Sequence, residues 1–136
     1  MASIFSKIIA GEIPSYKIAE NDRFLAFLDI FPLVEGHVLV VAKKEIDNLF
    51  DMPEDILAEW LVFSKPIAKA IERAFYCNRC GVSVIGLEVP HAHMHLMPIN
   101  SSADISFTRK PLEMTDEQLK EIQRKILEQL NVKGLK

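Results

Sequence analysis

Apolar and polar positions follow two periods along the chain. Near the start, Ile4, Phe5, Ile8 and Ile9 recur at helical spacing behind Ser3, and Gly11 with Pro14 closes the run, which predicts a short helix with one apolar face. Residues 16–20 and 23–29 read as strands around the turn-forming pair Asn21-Asp22, and the valine-rich residues 36–42 as a third strand. From 53 to 76 the period turns helical, with Ile56, Trp60, Phe63, Ile67, Ile71 and Ala74 on one face. Pro53 suits a first turn, whereas Pro66 removes an interior backbone donor, so a kink or break is expected there. Trp60 is assigned to the core or to subunit packing. Residues 81–89 read as a fourth strand, or as a strand ended by a turn at Gly86, and residues 90–99 as a fifth. Residues 100–111 are polar and irregular. Thr115-Asp116-Glu117-Gln118 is a capping box for a last helix, which carries Leu119, Ile122, Ile126 and Leu130 on one stripe and ends near Asn131 and Gly134.

The order is therefore helix, three strands, long helix, two strands, helix. Short connections without strand-helix-strand alternation predict an α+β fold, a five-stranded antiparallel sheet with its helices on one side. All 136 residues are expected in a single domain, with a core over about 3–100 and a loop and helix over 101–136.

Composition narrows the function. Apolar residues make up 49% and charged residues 26%, the balance of a folded domain rather than a disordered one. A net charge of −3 lacks the basic footprint of a nucleic-acid binder. No apolar run reaches the ~18 residues of a membrane span, and the opening residues lack a secretory signal's order, so a soluble, cytoplasmic protein is expected. Cys77 and Cys80 are spaced like half a zinc site or a redox pair, and they lack the second ligand pair; unpaired thiols are the expectation.

The remaining signal is His91-Ala92-His93-Met94-His95, three of the chain's four histidines within five positions. In an extended strand these rings would line one face, with Ala92, Met94 and Leu96 on the other. Two chemistries fit. His91 and His93 could share a metal ion with His37 or His95 as third ligand, although Glu88 is the only local carboxylate to support such ligands. Alternatively, a neutral imidazole could attack phosphorus while protonated imidazoles and backbone N–H groups hold the phosphoryl charge.

The segment from His91 to Met97 resembles the His-φ-His-φ-His-φ-φ signature, φ being apolar, of the histidine triad family of nucleotide hydrolases and transferases. The likeness continues through residues 4–14, 24–30 and 36–41, and is closest to the branch that cleaves nucleoside phosphoramidates. What the resemblance implies is hydrolysis or transfer at the α-phosphate of a purine nucleotide without metal or other cofactor, in a homodimer whose two sheets join across the long helix and its neighbouring strand. It makes His93 the nucleophile and His95 a donor to a non-bridging oxygen. His91 would orient the nucleophile, and His37 would support the network. Asp29 would take the ribose hydroxyls, and Ile4, Phe5, Ile8, Phe27 and Ile30 would wall the base. A nucleotide-binding scaffold with little turnover and a metal-dependent hydrolase are the alternatives.

Two departures from the family pattern bear on chemistry. Val82-Ser83-Val84-Ile85 and Glu88 stand where many relatives carry an asparagine-rich turn and a hydroxyl residue. Glu88 would disfavour a polyphosphate and tolerate a cationic amine as leaving group, provided the chain bends near Pro90 to bring it to the histidine face. Ser3 and Ser6 replace the two cysteines, and Ile46 one histidine, of a structural zinc site found in some bacterial relatives, so no zinc is expected there.

Overall fold

The computed structural model describes residues 2–130. Helix α1 spans Ile4–Ile9 and is capped at both ends by local sequence. Ser3 Oγ accepts from the Ser6 N–H, and Gly11, at φ 82°, lets the Gly11 and Glu12 N–H groups donate to the carbonyls of Ile8 and Lys7. Glycine takes this left-handed position without the penalty a Cβ would bring. Strands β1 (Lys17–Glu20) and β2 (Phe24–Leu28) form the expected hairpin; Asn21 Oδ1 accepts from the N–H groups of Arg23 and Phe24. Strand β3 spans Val38–Ala42, followed by a short 3-10 turn at Leu49–Asp51 and the long helix α2, Glu54–Ala74. Strands β4 (Arg79–Ser83) and β5 (His93–Ile99) and helix α3 (Asp116–Leu130) complete the order. The predicted end of α3 at Asn131 and Gly134 lies outside the described residues.

The sheet is antiparallel with strand order β1-β2-β3-β5-β4. Phe24, Ala26, Leu28, Val38, Val40, Met94 and Leu96 face α2 and α3, where Trp60, Ile67, Ile71, Leu119, Ile122 and Ile126 close the larger core. Trp60 is buried within it, and its Nε1–H donates to the Val40 carbonyl at 3.2 Å. On the opposite face Leu25, Phe27, Leu39 and Val41 pack against Phe5 and Ile8 of α1. So α2 and α3 share one side, and short α1 occupies the other.

Three local expectations need correction. Of the kink or break expected at Pro66, the break does not occur, since helix α2 is continuous through it: Val62, four residues earlier, and Pro66 are both exposed, so water can reach the carbonyl that loses its donor. The fourth strand is Arg79–Ser83 rather than 81–89, because its ladder ends where Ser83 pairs with His95. Beyond it the chain turns at Gly86, φ 73°, as the glycine signal anticipated. The fifth strand begins at His93, so His91 precedes it in a turn in which the His91 N–H donates to Val89 O and the Ala92 N–H to Ile46 O. Among the described residues no helix is long and apolar enough to cross a membrane.

Candidate active site

Register brings two of the three clustered histidines onto the α1 face: His93 pairs with Val41 and His95 with Leu39. They open into a cavity of about 460 Å³ between α1, the sheet and the loop after β5. Ile4, Phe5, Ile8, Phe27 and Ile30 line it, together with Asp29, His37 and Glu88. The bend at residues 87–90 carries exposed Glu88 into the same cavity as His93 and His95, although strict strand alternation would have placed it opposite. His91 does not line the cavity; it is fully buried behind it.

The hydrogen bonds determine which ring nitrogen carries each proton. His93 Nδ1 lies 2.8 Å from the His91 carbonyl, which can only accept, so Nδ1 bears a hydrogen, and in the neutral ring Nε2 carries the lone pair. The Leu33 N–H donates to His37 Nδ1 at 3.1 Å, leaving His37 Nε2–H to donate to His95 Nδ1 at 2.8 Å. His95 must then carry its own hydrogen on Nε2. A chain of neutral rings thus ends in a donor, which corrects the expectation of protonated imidazoles at this position. Burial supports the neutral state, pushing His37 down to about 4, against the pull of Asp29, and His95 down to about 3.

His91 is held at both nitrogens: Nε2–H donates to the Ala42 carbonyl at 2.7 Å, and Nδ1 lies 2.8 Å from Ser3 Oγ. With both its nitrogens engaged, it is not placed to share an ion with His93. One other grouping, Asp29, His37 and His95, brings three donor atoms within 4.8 Å of one another. Its two imidazoles are joined by the hydrogen bond just described, and Asp29 Oδ2 is 3.7 Å from His37 Nε2.

A profile of the HIT domain matches residues 10–102. The chain belongs to the histidine triad (HIT) family. It is 34% identical over 131 residues to adenosine 5'-monophosphoramidase HNT1 of Saccharomyces cerevisiae, covering 95% of this chain and 83% of the yeast protein. An uncharacterized HIT-like protein of Borreliella burgdorferi is 36% identical over 131 residues, covering 90% and 94% of the two chains. Among solved structures, a Hit-like protein from Bartonella henselae superposes with a TM-score of 0.81 at 32% identity over 93% of this chain and 95% of that one. The sheet and helices described above are therefore those of the HIT fold.

Sequence reasoning missed several wall residues of this HIT site. Phe107 sets its ring edge-on to His95, with centroids 4.6 Å apart, and Arg109 brings a cation to the cavity while also donating to the Ala103 carbonyl at 3.3 Å. Both lie in the irregular segment after β5; a lone aromatic and a lone arginine amid polar residues were the only signal. Cys77 and Cys80 are free and stand outside the cavity lining. Burial raises the Cys77 thiol and pushes Cys80 up to about 12, so both are protonated and unreactive near neutrality.

Proposed function

We propose that this HIT protein hydrolyses, or transfers, the nucleotidyl group of purine nucleoside phosphoramidates and related adenylates through a His93 adduct, without a metal ion. The observation that carries the reading is the His93 Nδ1–H bond to the His91 carbonyl, which in the neutral ring turns the Nε2 lone pair to the cavity. In the first step Nε2 bonds to the α-phosphorus as the bond to the leaving group breaks; in the second, water displaces the imidazole. Splitting one displacement into two avoids direct attack by a weak nucleophile. His95 Nε2–H is the donor for a non-bridging oxygen, supplied through His37 and Leu33. The apolar walls formed by Ile4, Phe5, Ile8, Phe27 and Ile30 suit a purine, and Asp29 offers a carboxylate to the ribose hydroxyls.

The similarity to yeast HNT1, named an adenosine 5'-monophosphoramidase, supports a phosphoramidate over a dinucleoside polyphosphate, as does the negative charge of Glu88 at the cavity. The active unit would be a cytoplasmic homodimer joined across α2 and the exposed edge of β4, where Leu61, Val62, Tyr76 and Val82 leave apolar surface uncovered. The experiment is steady-state cleavage of an adenosine phosphoramidate. Wild type turns over in the presence of a chelator and His93→Ala does not, and an alkaline detergent quench, which spares the acid-labile P–N bond, traps a nucleotidyl adduct on the wild-type chain alone. Equal turnover by His93→Ala, or turnover lost to the chelator, would overturn the reading.

A further inference from the structure

Behind the triad lies a cluster that contacts neither the cavity nor, on the reading above, the substrate. Glu45 follows β3, and its Oε1 accepts from the Ser3 backbone N–H and from the Ser6 hydroxyl, each at 2.7 Å. The Ser6 N–H donates to Ser3 Oγ at 3.0 Å. Ser3 therefore already accepts one hydrogen, and Ser6 has committed its hydroxyl proton to a carboxylate that can only accept. The Ser3 hydroxyl proton is left with one well-placed acceptor, His91 Nδ1 at 2.8 Å, while the next hydroxyl, Ser6 Oγ, is 3.4 Å away. In that arrangement His91 Nδ1 accepts from Ser3, and the hydrogen on Nε2 goes to the Ala42 carbonyl.

Two paths lead from this cluster to His93. One is short: the pinned His91 ring belongs to the residue whose carbonyl accepts the His93 Nδ1–H. The other runs through the helix that Glu45 ties down, since Phe5 of α1 sets its edge against His93 with ring centroids 4.9 Å apart. We propose that Glu45 is a positioning residue for the nucleophile: through Ser3 and Ser6 it pins α1 and the His91 ring, so that the His91 carbonyl and Phe5 hold His93 with Nε2 presented to phosphorus. The two serine donors hold the Glu45 carboxyl down to about 2, so the clamp is charged throughout the neutral range. Serine at 3 and 6 and glutamate at 45 thus form one hydrogen-bonded unit with the first histidine of the triad. This inference rests on the proposed activity for its kinetic readout and on tautomer chemistry for an independent one.

The test compares wild type, Glu45→Ala, Glu45→Gln and Ser6→Ala with an adenosine phosphoramidate. Misplacing a reacting group is costly, and Glu45→Ala should lower kcat about tenfold with KM nearly unchanged. Ser6→Ala, which removes one arm, falls between Glu45→Ala and wild type. Glu45→Gln, whose amide oxygen can accept the same two hydrogens, restores most of kcat. If the cluster served only to hold the helix that walls the base, Glu45→Ala would instead raise KM and leave kcat alone, and the proposal would fail. The second readout is the ¹⁵N signature of the imidazoles, which needs no substrate. Wild type should show His93 as a single Nδ1–H tautomer, and Glu45→Ala should show a mixture; identical spectra overturn the proposal. Absent wild-type turnover would count against the activity reading, and the spectra would still decide the role of Glu45.

Discussion

Burial keeps His37 and His95 neutral, and that carries a stability signature. Their folded-state values, about 4 and about 3, lie below the ordinary imidazole value of 6.5, so between those limits the unfolded chain binds more protons than the folded one. The contribution is complete above about 6.5 and is lost as pH falls toward 3, on the order of 3 kcal/mol for His37 alone. Thermal unfolding across that range should show the melting midpoint falling with acid. In His37→Asn, which removes one titrating ring, the slope should be shallower. Glu88 makes a second prediction at this scale: Glu88→Ser should shift the ratio of phosphoramidate to diadenosine polyphosphate cleavage toward the polyphosphate, by about tenfold for the charge repulsion of one carboxylate. An unchanged ratio in paired assays removes Glu88 from leaving-group selection. Residues named from the histidine repeat and the family likeness lie in or directly behind one cavity because repeated residue types at fixed spacing survive in a linear string. Phe107 and Arg109 carry no such spacing, and only the path of the loop after β5 brings them to His95 and the cavity wall.

Element by element, the limits of local pattern are physical ones. Helix α1 was legible to its last residue because its cap serine and terminal glycine act within one turn. The helix does not break at Pro66 because that cost depends on what surrounds the orphaned carbonyl, and the carbonyl lies on an exposed face. Restoring the missing donor with Pro66→Ala should stabilise the protein by about 1–3 kcal/mol in urea unfolding, less than the full helix-propensity difference because the native helix has already adapted. The fourth strand was drawn too long because Val84, Ile85, Leu87 and Val89 have strand composition without a strand partner. Register, a property of two segments together, ends that ladder at Ser83. His91 was placed in the strand for the same reason. Its role as a buried support rests on Ser3 and Ala42, residues distant in sequence.

For the whole molecule, the sheet is covered on both faces over β2 and β3, where every residue is buried. This makes Trp60 a keystone of the larger core: Trp60→Phe removes the indole donor to the Val40 carbonyl, and Trp60→Ala should cost about 3–5 kcal/mol by calorimetry or denaturant. The uncovered face is the other side of α2 and the β4 edge. For the homodimer proposed above, Val62→Lys should lower the sedimentation coefficient without lowering helix content, and an unchanged coefficient would count against a subunit contact on this face. The sequence alone determined the element types, the strand-borne pair His93 and His95, the capped first helix and the family, because each is written in short-range spacing or in an ordered series of motifs. Only tertiary structure decided which nitrogen of each ring is free, that Glu45 and two serines stand behind the triad, and where the cavity closes. Those depend on hydrogen bonds between residues tens of positions apart, and a one-dimensional pattern holds no record of such distances.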